Sequence, residues 1–224
     1  MDLRPALVFV SSGVVHPSRP AQRRAFRAFR RGADRAGAPP RRTVRRSPGL
    51  RMHRLARICE DRPRILGLYV HHPRVEPSAV AALCRYVGEG GALLAIHGAG
   101  ASFKGDRAYR DLLGASFAGH RRVSRREIRL DPEGSSRHPV LPESVCLTDE
   151  MYEHDFTGET DVWYRWHDAR SSREGPPAVW TRGYGEGRVA CVTTGHRAAV
   201  WRSRQMTDIV FAVLDWLLRG ETSP

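Results

Sequence analysis

Two fully apolar runs, Ile65–Val70 (ILGLYV) and Ala92–Ile96 (ALLAI), bracket a segment that opens at Pro77 and stops at Gly88, Gly90 and Gly91. Runs without polar alternation suit strands covered on both faces. Between them Val80, Leu83, Cys84 and Val87 repeat at helical spacing. Strand, helix, strand at this separation predicts a right-handed crossover and a parallel sheet. A third apolar run, Leu7–Val10, ends in Ser11-Ser12-Gly13 and reads as another buried strand.

The remaining pattern extends this framework. Residues 20–36 predict an amphipathic helix with Pro20 near its start and Gly37 as its stop. Residues 37–48 read as a basic connection that hides a short edge strand at Arg42–Arg46, followed by a weaker helix over Met52–Cys59. Tyr109–Leu113 suggests a helical turn, and 114–120 a loop. Short strands are expected at Glu127–Leu130, Ser144–Leu147, Val162–Arg165, Ala178–Thr181 and Val189–Thr193, with a hairpin turn at 183–187. Residues 204–218 form a closing helix. The 224 residues are expected to form one domain, 1–224, folded as a three-layer α/β/α sandwich around a mostly parallel, flavodoxin-like sheet.

Charge is concentrated rather than spread. The chain has 37 basic and 24 acidic residues, and Lys104 is its single lysine. Residues 19–64 hold 16 arginines against Asp34, Glu60 and Asp61, which accounts for the whole net charge of +13. Such a segment could hold a polyanion, but only Phe26 and Phe29 there could stack on bases. An arginine-rich outer helix face is the simpler reading, and nucleic acid is not the expected partner.

No stretch approaches the roughly 18 apolar residues of a membrane helix, so no membrane partner is expected. Met1–Val10 lacks the features of a secretory signal. Cys59, Cys84, Cys146 and Cys191 form no CxxC pair and read as buried, reduced thiols of a cytoplasmic protein.

Ligands of open parallel sheets bind at the carboxyl ends of the strands. Here those ends carry histidines: His16 after the first strand, His71-His72 after ILGLYV, His97 after ALLAI, and His196 after VACVTT. Imidazole near neutral pH serves as acid, base or metal ligand. The turn at Ile96-His97-Gly98 is where related architectures carry a nucleophilic Ser or Cys, yet no cysteine lies near it. A thiolate-dependent glutaminase is thereby excluded. Asp149, Glu150, Tyr152 and His154 form a second polar group. Trp180 with Tyr184, and Trp163 with Trp166, could form a sugar platform or simply core.

The runs GEGGALLAIHGAGASF, LLGASFAGH, His138-Pro139, Thr148-Asp149-Glu150-Met151-Tyr152 and PPAVWTRGYGEGRVACVTTGH, with Trp201 beyond, resemble the trehalose-utilisation, or ThuA-like, family over residues 77–218. The resemblance implies a class I glutamine amidotransferase-like fold without the amidotransferase nucleophile. It also implies a role in carbohydrate metabolism, on trehalose or related keto-disaccharides. Its motif histidines correspond here to His97, His120, His138 and His196, with Asp149, Glu150 and Tyr152, and Gly114, Phe117 and Gly119 belong to the segment presenting His120. The Arg-rich stretch 41–64 departs from the pattern. An acidic or phosphorylated sugar would suit it if its arginines faced the pocket.

These readings converge on a small-molecule sugar as partner, with self-association left open. The expected enzyme uses His97 and His196 as an acid/base pair and Glu150 to orient one imidazole. His16, His120, Asp149, Tyr152 and Trp180 are expected to bind substrate. No cofactor is specified; a divalent metal, if held, would use His97, His120, His196 and Glu150. The alternatives are a non-catalytic sugar-binding or regulatory module on the same fold, and polyanion binding through residues 19–64.

Overall fold

A computed structural model describes residues 7–13, 17–35, 44–48, 53–74, 76–133, 141–167 and 174–219. His16 and His138 lie outside the described residues.

The chain runs β1 (Leu7–Gly13), α1 (Arg19–Arg35), β2 (Val44–Pro48), α2 (His53–Glu60), β3 (Ile65–His71), α3 (Pro77–Gly88) and β4 (Ala92–Ile96). A 3-10 turn at His97–Ala99 and α4 (Arg107–Leu113) follow. Then come β5 (Ala115–Leu130), β6 (Ser144–Phe156), β7 (Asp161–His167), β8 (Pro177–Tyr184), β9 (Gly187–Val192), a second 3-10 turn at Val200–Arg202, and α5 (Arg204–Arg219). The strands form one sheet in the order β2-β1-β3-β4-β9-β8-β7-β5-β6.

The sheet is mixed rather than mostly parallel. Pairings from β2 through β9 are parallel, and those from β9 through β6 are antiparallel. The sequence predicts strands in the second half but not their direction. Short links such as Gly185-Glu186 join neighbours as hairpins, whereas parallel pairs need a crossover. The expected loop at 114–120 is instead the start of β5, a strand of 16 residues. Its first residues, ASFAGH, are mostly small and include a glycine, which hides the alternation that marks a strand.

Helices cover both faces of the sheet. Ala21, Ala25, Ala28 and Phe29 of α1 share a core with Ile209, Val213 and Leu214 of α5. On the other face Leu55 of α2, Val80 and Leu83 of α3, and Leu112 of α4 pack on Val10, Leu66, Leu68 and Leu93. Local rules explain the helix ends. Pro77 opens α3, the Asp106 carboxylate accepts from Tyr109 N to cap α4, and Gly114 closes it at φ 72°.

Trp163 and Trp166 are both buried in the α1/α5 core, with indoles donating to Thr181 Oγ1 and Thr193 Oγ1. Register irregularities around Tyr164 break the strict alternation of β7. Cys59 and Cys191 are buried, but Cys146 is exposed and Cys84 only partly covered, so the expectation of four buried thiols holds for two.

Candidate active site

The parallel half of the sheet brings two exits together. Ile96 of β4 pairs with Val192 of β9. The next residues, His97 and Thr193, are therefore neighbours, and the His97 Nδ1–H donates to the Thr193 carbonyl at 2.8 Å. A carbonyl only accepts, so this bond fixes the tautomer. In the neutral imidazole, Nε2 then carries the lone pair and faces the cluster.

His97 sits at φ 45°, in the left-handed region that a side chain rarely occupies. Gly98 explains part of the turn: a Cβ there would lie 2.6 Å from the Val70 carbonyl oxygen. The backbone of the 3-10 turn thus packs directly on β3. His97 occupies the strained strand-exit position at which nucleophile-elbow enzymes hold their nucleophile.

The other half of the site comes from the antiparallel hairpin. Glu150 and Tyr152 are two apart on β6, so they share a face, while Asp149 and Met151 turn the opposite way. Register shifts at Phe117/Gly119 and Arg121/Ser124 in β5 bend the hairpin. Its inner face then lies over the β4 and β9 exits. Tyr152 Oη is 3.1 Å from His97 Nε2. Glu150 Oε2 is 3.6 Å from His97 Nε2 and 3.2 Å from His196 Nδ1, and Oε1 is 3.7 Å from His120 Nδ1.

One carboxylate is therefore shared by three imidazoles from three parts of the chain. Side-chain exposure rises from 0% at His97 through 12% at Glu150 and 26% at His196 to 47% at His120. The cluster has a buried floor and an open rim. Phe117 lines that rim, with ring centroids 4.9 Å from Tyr152 and 6.3 Å from His120. Lys104 Nζ lies 4.9 Å from the Phe117 ring. Burial, reinforced by the Glu150 and Asp149 charges, holds the Tyr152 hydroxyl well above the usual tyrosine range. It therefore stays a neutral donor and acceptor.

Asp149 does not face this opening. It is fully buried and accepts from Gly195 N at 2.6 Å and Arg197 N at 3.2 Å. It clamps the loop that carries His196. Burial pushes its carboxyl up to about 7, against the opposing pull of those backbone amides. Gly195 stands at φ 126°, its carbonyl accepts from the Tyr69 hydroxyl, and a Cβ there would lie 3.0 Å from Trp201.

Trp180 is also away from the opening. It is fully buried, donates to the Leu113 carbonyl at 3.1 Å and packs on Phe156 and His154. The expectation of substrate contact thus gives way to a core role. Six arginines of α1, from Arg23 to Arg35, line a groove with α5 rather than the His/Glu opening; within the stretch 41–64, residues 41–43 and 49–52 lie outside the described residues. Thr193, Lys104, Phe117 and His71 complete the surroundings. His71 was visible as a strand-exit residue; burial, with Lys104 nearby, lowers its pKa. Thr193 acts through its backbone, which no side-chain motif reveals.

A family model described as ThuA, trehalose utilisation, matches residues 68–217. The chain belongs to the ThuA family. Among solved structures, the ThuA fold of this chain is similar to a thua-like protein from Parabacteroides merdae ATCC 43184, with TM-score 0.75, 14% identity and coverage of 98% and 92% of the two chains. A thua-like protein from Bacteroides uniformis ATCC 8492 gives TM-score 0.71 and 13% identity over 97% and 94%. A beta-galactosidase from Bacillus circulans sp. alkalophilus gives 0.64 and 12%, covering 96% of this ThuA chain but 31% of the galactosidase. No protein with a curated description matches the sequence. At these identities the structural likeness speaks for the fold.

Proposed function

We propose that the chain is a cytoplasmic sugar-modifying enzyme of trehalose or related keto-disaccharide utilisation, of keto-glycoside hydrolase, lyase or isomerase type, without glutaminase activity. The observation that carries this is the Glu150 carboxylate held within 3.6 Å of His97 Nε2 and 3.2 Å of His196 Nδ1. Family membership supports the sugar chemistry.

A carbon next to a sugar ketone is acidic enough for a positioned base to deprotonate, and a glycosidic oxygen leaves more readily when protonated. His196, at the open side, is the group placed to take or give the substrate proton. Glu150 orients its imidazole and stabilises it when charged. His97, locked by Thr193, supplies the second proton site through Nε2, which Tyr152 also contacts. His120 and Phe117 line the rim where a sugar ring would lie.

The test is product analysis after incubation with a 3-keto-disaccharide. Loss of turnover in His97→Ala with the fold intact supports the assignment. Undiminished turnover removes His97 from the mechanism. Saturable sugar binding by calorimetry without any product would instead support the non-catalytic binding module.

A metal-assisted form of this reading rests on a separate observation. The ligand atoms of His97, Glu150 and His196 lie within 4.8 Å of one another. Donors about 2 Å from a common tetrahedral ion are themselves about 3.4 Å apart, close to the 3.2 and 3.6 Å found here. The Nδ1–H bond from His97 to a backbone carbonyl is the support that ligating histidines commonly use. His97, Glu150 and His196 would hold the ion, with His120 at the rim. A divalent cation bound there supplies Lewis-acid polarisation of a carbonyl or hydroxyl. Elemental analysis of protein purified without chelator tests this: stoichiometric metal, lost in Glu150→Gln, supports it, and metal-free protein with full activity overturns it.

A further inference from the structure

The two strongest charge features of the molecule are separate: the His/Glu cluster at the strand exits, and an arginine groove along the outer helical layer. The groove lies between α1, α5 and the 200–202 turn and has a volume of about 1330 Å³. On the α1 wall Arg23, Arg27, Arg31 and Arg35 recur every four residues and are all exposed. Four residues of helix advance about 6 Å. Arg202 and Arg204 add charge from the opposite wall.

Counter-charge is scarce. Among the described residues lining the groove Asp208 is the one acid, and it pairs loosely with Arg35 at 4.0 Å and Arg204 at 3.9 Å. Among the described residues no carboxylate lies within ion-pair distance of Arg23, Arg27, Arg31 or Arg202. Four guanidinium groups are thus held close together without neutralisation, which favours an anionic occupant.

The groove adds to Phe26 of the Arg-rich segment a second ring from outside it. Phe26 of α1 and Phe211 of α5 line it and are only partly buried. Phe211 already carries the Arg35 guanidinium 5.8 Å from its ring centroid. The approach is close because α1 has Gly32 at the crossing, where a Cβ would meet Leu214 at 2.6 Å and Phe211 at 2.8 Å. Helix packing brings a ring from the C-terminal end of the sequence to a charge row near its N-terminus.

We propose that this groove binds single-stranded nucleic acid, with the α1 arginines on successive phosphates and Phe26 and Phe211 stacking on bases. A row of donors repeating at about 6 Å beside stacking rings is the combination that single-strand binders use. An acidic peptide would find the charges but little use for the two rings, and a membrane surface would not enter a groove. The proposal is independent of the sugar chemistry, because none of the described groove residues belongs to the His/Glu cluster.

The experiment is fluorescence anisotropy with a labelled dT12 oligonucleotide against the full chain. About four phosphate contacts predict a log–log salt slope near −3, so affinity should fall about fifty-fold between 50 and 200 mM salt. Arg23→Ser with Arg27→Ser and Arg31→Ser should abolish binding, while Arg85→Ser, on the opposite helical layer, should not. The substituted arginines are exposed, and circular dichroism confirms folding. Phe211→Ala should weaken dT12 several-fold yet leave inorganic polyphosphate binding unchanged. A slope near zero, or equal binding by wild type and the triple variant, overturns the proposal. Poly-glutamate competing as well as dT12 at matched charge also overturns it and assigns the groove to an acidic peptide.

Discussion

The amide of Gly195 donates to the Asp149 carboxylate at 2.6 Å, tying the far hairpin of the sheet to the loop that presents His196. The two residues are 46 positions apart. This bond, together with the Arg197 amide on the other oxygen, sets where the His196 ring stands relative to Glu150.

Asp149 also makes stability depend on pH. Its carboxyl is raised from 3.8 to about 7 by burial, so the folded state holds a proton that the unfolded chain releases. Stability from this group is full below about pH 4 and is lost as pH rises through 7. Between pH 5 and 7.5 the loss amounts to about 2–3 kcal/mol. Urea unfolding at both values should show that difference in wild type and a much smaller one in Asp149→Asn. Equal pH dependence in the two proteins would show that Asp149 does not carry it.

The strain at His97 separates conformation from chemistry. Replacing it by Ala leaves a Cβ at φ 45°, whereas Gly accepts that angle freely. Both variants should lose activity. His97→Gly should nevertheless be more stable than His97→Ala by about 1 kcal/mol, despite having less side chain. Thermal unfolding measures this. Ala equal to or more stable than Gly would mean that the turn relaxes once the imidazole is gone.

Trp180 tests the boundary between site and core. Its indole is fully buried and donates to Leu113 at the end of α4. Trp180→Ala should cost about 3–5 kcal/mol, as large aromatic truncations do. Trp180→Phe keeps most of the volume but orphans the Leu113 carbonyl, at about 1–3 kcal/mol. KM for the sugar should stay within two-fold in the Phe variant; a large rise in KM at unchanged stability would return Trp180 to the substrate.

Much of the parallel half of the sheet was legible because its strands are buried on both faces. ILGLYV and ALLAI announce themselves by continuous apolar content, and Pro77 and Gly88 punctuate the helix between them. His97 and His196 followed directly, since each stands where an apolar run ends. The antiparallel half was harder to read. The first part of β5, Ala115–His120 (ASFAGH), is mostly small residues with a glycine, so it looks like a loop, and the bulges of β5 carry no sequence signature. The meeting of Glu150 with both histidines depends on that bend. Asp149 and Glu150 look equivalent in sequence, yet strand alternation turns one into the loop clamp and the other into the cluster. Trp180 was misplaced because a tryptophan near a predicted rim looks the same whether it stacks on a ligand or on Phe156.

The central claim is that Glu150 and His196 act on substrate as one unit. It is tested most directly by the turnover of a 3-keto-disaccharide with Glu150→Gln, His196→Ala and the double variant. Groups that share one proton-transfer step are strongly non-additive. Each single change should lower kcat by about 10²–10⁴-fold, and the double variant should be no slower than the slower single. Singles that turn over at the wild-type rate, or losses that multiply in the double variant, would contradict it.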